Sequence, residues 1–137
     1  VRAGRASGAD EPDPLIALAD EPDPLIALAD AARADAALAA AAVAADPELA
    51  TALRPLVDAR TEHAAALDAE IARLDPDRTT PAPAPPPSGR PGRREVQRAV
   101  LASGRAAGEA ALGLPAERVG LVASVAACCG TYAEVLV

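Results

Sequence analysis

Three observations predict an all-α protein built as a four-helix bundle. Alanine dominates the 137 residues while aromatic residues make up only 1%, so the best helix former is abundant and strand-favouring residues are few. Asp-Pro pairs recur at Asp13-Pro14, Asp23-Pro24 and Asp46-Pro47, each joining a capping side chain to a proline that the first helical turn tolerates. Behind them, apolar residues return at spacings of three, four and seven, the period of one buried helix face. The length suits one domain with a core that needs no staples.

The elements follow in order. Residues 10–19, DEPDPLIALA, recur letter for letter as residues 20–29, a tandem duplication. The first copy meets Pro22 and Pro24 within one or two turns, and those break a helix. Residues 1–22 are therefore assigned as a flexible acidic arm and residues 23–137 as the bundle domain. Helix one runs from Pro24 to about Ala45. Asp46-Pro47-Glu48 opens helix two, which extends to about Leu74 with acidic residues in its first turn, as the helix dipole favours. Leu49, Leu53, Leu56, His63, Leu67 and Leu74 form its apolar stripe, widened by Val57, Ala64 and Ile71 and interrupted by Arg60 and Glu70.

Residues 75–91 hold seven prolines and read as a polyproline-type linker of about 3 Å per residue, with a reach of about 50 Å. Helix two is about 40 Å long at about 1.5 Å per residue. The linker can thus carry the chain back and set helices two and three parallel, as in a ferritin-like bundle, and an up-down-up-down path is equally allowed. Helix three, about Gly92 to Leu112, offers Ser103, Gly104, Ala107, Gly108 and Ala111 for close packing, and Gly113 ends it. Pro115 starts helix four. Its residues 119–133 carry no charge and are apolar on nearly every side, a pattern that assigns it to the centre of the bundle.

Composition narrows the function. A net charge of −7 argues against nucleic-acid binding, which draws on a basic surface. No run reaches the roughly 20 apolar residues of a membrane span, and no basic-flanked apolar stretch near Val1 reads as a signal peptide. A chain opening on Val1 leaves two compartments in view: the cytoplasm, or the cell envelope and exterior if an upstream signal is missing from it. Cys128 and Cys129 are adjacent, a spacing that fits neither a disulfide framework nor a metal motif, and they read as small buried hydrophobes. Arg90, Arg93, Arg94, Arg98 and Arg105 form one basic cluster, read as a solvated face or a partner of the acidic arm, with docking to an acidic partner or an anionic lipid surface as the alternative.

Candidate chemistry centres on metals. A di-iron or di-manganese bundle takes a Glu from each of two helices and a Glu-x-x-His pair from each of the others, since positions i and i+3 share one inward face. Here the single histidine, His63, has Arg60 at i−3, and helix four offers Thr131 and Glu134 where such a pair would lie. The weak candidate ligands are Glu62, His63, Glu109 and Glu134, with Glu109 and Glu134 about 24 Å apart along the bundle by turn arithmetic. No catalytic residue and no cofactor is assigned, since Ser103, Ser124 and the cysteines lack a nearby base. The same arithmetic pairs Asp30 with His63, Glu109 with Arg118, and Glu134 with Arg93 or Arg94.

The stretch Leu121-Val-Ala-Ser-Val-Ala-Ala-Cys-Cys-Gly-Thr-Tyr-Ala-Glu-Val-Leu136, together with Arg60-Thr-Glu-His-Ala-Ala-Ala-Leu67, resembles the uncharacterised alanine-rich, ferritin-like proteins of actinobacteria. The resemblance implies a ferritin-like bundle without an established activity, exported or lipid-anchored in some members. The expected function is a non-enzymatic helical bundle that acts by protein contact around a degenerate ferritin-like core. The alternative is a metal-binding ferritin-like enzyme or storage protein. The expected partner is an unidentified protein, with a homo-oligomer that buries helix four as a further arrangement.

Overall fold

The computed structural model describes residues 21–137, so the first decapeptide copy and nearly all of the acidic arm lie outside the described residues. Four α-helices make up the fold: α1 Pro24–Ala45, α2 Ala50–Leu74, α3 Arg93–Leu112 and α4 Ala116–Val135. Asp23 caps α1 by accepting the Leu25 N–H, with Pro24 in the first turn. Asp46 closes α1 and caps a 3-10 turn, Pro47–Leu49, which leads into α2. Pro55 sits on the exposed side of α2, where the carbonyl it leaves without a helical donor can turn to water.

Helices α1 and α2 pack as one hairpin, α3 and α4 as another, and the hairpins meet through α1 against α3 and α2 against α4. Side-chain bonds at the two ends fix the directions. At one end Arg118, in the first turn of α4, reaches Asp23 before α1 and Glu70 in the last turns of α2. At the other, Arg90 donates to the Ala45 carbonyl that ends α1, and Arg93, opening α3, donates to the Leu136 carbonyl beyond α4. The order is up, down, down, up, with α2 and α3 parallel on one diagonal. Of the two paths the sequence allows, the chain takes the long crossover.

The crossover is a strap over the groove between α1 and α2. Along it Arg78, Pro81, Ala84 and Pro87 are half-buried while most residues between them are exposed, the three-residue period of a polyproline helix laid on a surface. Pro91 is buried where the strap meets α3.

Leu25, Leu28, Leu53, Leu56, Leu67, Ile71, Val96, Val100, Val122, Val125 and Leu136 fill the core. Two expectations need correction. Leu74, placed on the stripe of helix two, is 56% exposed, because the stripe runs past the end of the bundle. Helix α4 is not central: it buries Val122, Val125, Cys129 and Ala133 along one face and exposes Ala123, Ser124, Ala127 and Thr131. Alanine counts as apolar in a sequence pattern but has little area to hide, so leaving it in water costs little.

Glycine sets the approach of α3 to α4. A Cβ at Gly104 would stand 3.1 Å from the Cys129 Cβ, whereas one at Gly108 would meet nothing within 4 Å. Gly104→Val should destabilise the bundle by about 1–3 kcal/mol through overpacking. Gly108→Ala should stabilise it by about 0.5–1 kcal/mol through helix propensity. Urea denaturation of both variants checks the pair, and equal effects would refute a close contact specific to Gly104.

Candidate functional site

Among the described residues a polar cluster lies in the interior, and every helix contributes to it. Arg60 lies on α2 between the buried Leu56 and Ala64 and is itself 1% exposed. A guanidinium taken out of water costs several kcal/mol unless paired. Its Nε donates to Oδ2 of Asp35 on α1 at 3.0 Å, and its Nη2 forms an ion-pair contact with the same oxygen at 2.9 Å. Ser103 Oγ, from α3, donates to the same oxygen at 2.7 Å. Arg60 Nη1 stands 2.9 Å from His63 Nδ1, one turn along α2. Since guanidinium only donates, that nitrogen accepts, which assigns a neutral imidazole with its proton on Nε2. From α4 the Cys129 thiol completes the cluster beside Arg60 and Asp35.

Electrostatics follow from this enclosure. Burial lowers the His63 pKa, and the Arg60 charge lowers it further against the opposing pull of Glu62. Burial also raises the Asp35 carboxyl above its ordinary value, outweighing the bonds from Ser103 and Arg60 that pull it down. The Cys129 thiol is raised too, chiefly by burial, so it stays protonated at neutral pH, unlike a reactive cysteine. Ser103 spends its proton on a carboxylate oxygen already held by Arg60 and is buried with it. The cluster is a closed set of mutually satisfied groups, suited to holding helices in register rather than to attacking a substrate.

The residues proposed as metal ligands are not brought together. Glu62, Glu109 and Glu134 are exposed, and His63 is half-buried and turned to Arg60. Among the described residues no group of three or more His, Cys, Asp or Glu side chains is placed to hold a metal ion.

The ion pairs expected from turn arithmetic are also replaced. Asp30 bonds Arg33 at 2.6 Å instead of His63, and Arg33 reaches Asp68 on α2 at 2.6 Å. The 3-10 turn lengthens the connection, so α2 meets α1 further along than a tight turn at Asp46 implies. Arg118 bonds Asp23 and Glu70 instead of Glu109, because two carboxylates meet at the bundle end where it emerges. Glu70 is held down to about 2 by its bond from Arg73, helped by Arg118. Arg93 donates to the carbonyls of Val135 and Leu136 instead of pairing with Glu134, since the end of a helix leaves carbonyls without partners.

Of the cluster, Asp35 has no role in the sequence reading, and Ser103 figures there as a packing residue without a nearby base rather than as a donor to a buried acid. A signal was present in Arg60, a charge on an otherwise apolar stripe, which demands a buried acid from a facing helix. Compared with known proteins, the chain matches no family model and finds no significant match among curated proteins or solved structures.

Arg60→Met should cost about 3–5 kcal/mol, because it strands Asp35 in the core. The paired Arg60→Met, Asp35→Leu replacement should regain much of that loss in denaturant titrations, and a loss equal to the sum of the two single changes would count against the pair. His63 adds a pH signature. Its folded pKa lies below the ordinary 6.5, so the unfolded chain binds the proton more readily. Its contribution is complete above about 6.5 and is lost as pH falls through that value towards the folded pKa. Midpoints measured from pH 7.5 to 5 should fall, and His63→Gln should flatten that part of the slope.

Proposed function

We propose that this chain is a non-enzymatic helical bundle that acts through protein contacts, built on a ferritin-like core in which an arginine has taken the place of the metal. One observation carries the reading. Where a metal-carboxylate bundle turns a Glu-x-x-His pair inward, α2 turns Arg60 and His63 inward, and the guanidinium is buried against Asp35. The cationic position at the middle of the bundle is filled by the chain's own side chain. Support for the ferritin-like ancestry comes from the up, down, down, up path with its single long crossover. A setting at the cell envelope rests on the resemblance to actinobacterial proteins alone.

The metal-binding alternative would require Glu62, Glu109 and Glu134 to leave the surface and meet at His63. Incubating the purified protein with Fe(II), Mn(II) and Zn(II), desalting it and measuring metal by elemental analysis separates the two readings. We expect much less than one metal per chain. Stoichiometric metal that disappears in His63→Ala would overturn the proposal and establish a metalloprotein.

A further inference from the structure

The strap does not fill the groove it crosses. The floor of that groove is alanine, Ala36 and Ala37 from α1 with Ala64 and Ala65 from α2, and its roof is Pro81 and Pro83. Short side chains below and stiff rings above leave an almost wholly apolar trough of about 390 Å³, within the size range of small-molecule sites. The α1–α2 ion pair of Arg33 and Asp68 closes one end.

The polar end has an open valence. Asp68 Oδ2 accepts from Arg33 at 2.6 Å, while Asp68 Oδ1 is buried and has no hydrogen-bond partner among the described residues. An ionised carboxylate offers both oxygens as acceptors, and a buried acceptor left unmet carries its full desolvation cost. Arg33 already divides its charge between Asp68 and Asp30, two carboxylates to one guanidinium. Arg78 lines a smaller hollow on the strap side of Asp68 but forms no ion pair with it. Residues 79–91 make no backbone–backbone hydrogen bonds, so a donor that reaches Oδ1 by displacing this part of the strap breaks no main-chain bond.

We infer that the trough beneath the strap is a binding site for a small hydrophobic amine, its alkyl body on the alanine floor and its ammonium group bonded to Asp68 Oδ1. The recognition rules are apolar bulk, one positive donor head and no second charge.

Hexylammonium is the probe, titrated calorimetrically into the full chain, with hexanoate as the control of equal length and opposite charge. The expected result is saturable one-to-one binding of hexylammonium and at least tenfold weaker binding of hexanoate. Asp68→Asn should weaken the amine by about tenfold or more, as loss of a charged hydrogen bond implies. Ala65→Leu, at an exposed position on the floor, should abolish binding by filling the trough. Arg78→Gln should leave the amine bound at least as tightly. Absence of saturation, equal binding of hexanoate, or unchanged affinity in Ala65→Leu would overturn the inference. Loss of amine binding in Arg78→Gln would do the same. If Asp68→Asn does not fold, Ala65→Leu and the hexanoate comparison decide the matter without it.

Discussion

A guanidinium sealed among four helices has to find its counter-charge inside, and the arrangement of this bundle answers to that demand. Oδ2 of Asp35 accepts one hydrogen bond from Arg60 and one from Ser103 and lies within ion-pair distance of the Arg60 Nη2, so α1, α2 and α3 are pinned at one level. Sliding any of them by a helical turn, about 5.4 Å, would bury an unpaired charge. An alanine-rich interface by itself has weak preferences of this kind, since neighbouring alanines are nearly interchangeable. The ionic cluster therefore supplies the register that small apolar side chains leave open. Its net contribution to stability is modest, while the penalty it places on other registers is large.

The bundle ends are finished by the same residue type in two chemical roles. At the end shared by the starts of α1 and α4, Arg118 bridges Asp23 and Glu70 as an ion-pair centre. At the opposite end, Arg90 and Arg93 bond main-chain carbonyls where α1 and α4 stop. Arginine suits both tasks because its planar fork presents several donors and remains charged. With no lysine in the chain, every basic contact is of this directional kind. The basic cluster at the start of α3 is thus partly committed within the fold: two of its five arginines, exposed as they are, tie the strap and α3 to neighbouring helices.

The helices themselves were legible because Asp-Pro caps, glycine stops and apolar spacing are local signals. Pro24, Ala45, Leu74 and Leu112 bound elements in the structure as they do in the sequence. Inter-helix pairing was less legible, since it depends on how many residues a connection uses, and the 3-10 turn at Pro47–Leu49 moved the partner of each α1 residue along α2. Burial in α4 was misread for another reason: apolar spacing has no contrast where every position is small. The polar cluster was visible only in outline. Arg60 stood out as a break in a stripe, but the acid it needed could be identified only after the packing of α1 on α2 was known.

Among the described residues the strap separates two hairpins, each closed by a short turn and built on contacts nearby in sequence. Everything that joins the halves is side-chain packing plus a few ionic bonds, because the strap itself contributes no backbone ladder. The protein is in this sense a tethered pair of subunits, with the strap setting the effective concentration at which each hairpin meets its mate. Extended at about 3 Å per residue, the same segment is long enough to present a hairpin to another molecule. A reciprocal exchange of hairpins between two chains would rebuild the same core twice and need no new interface.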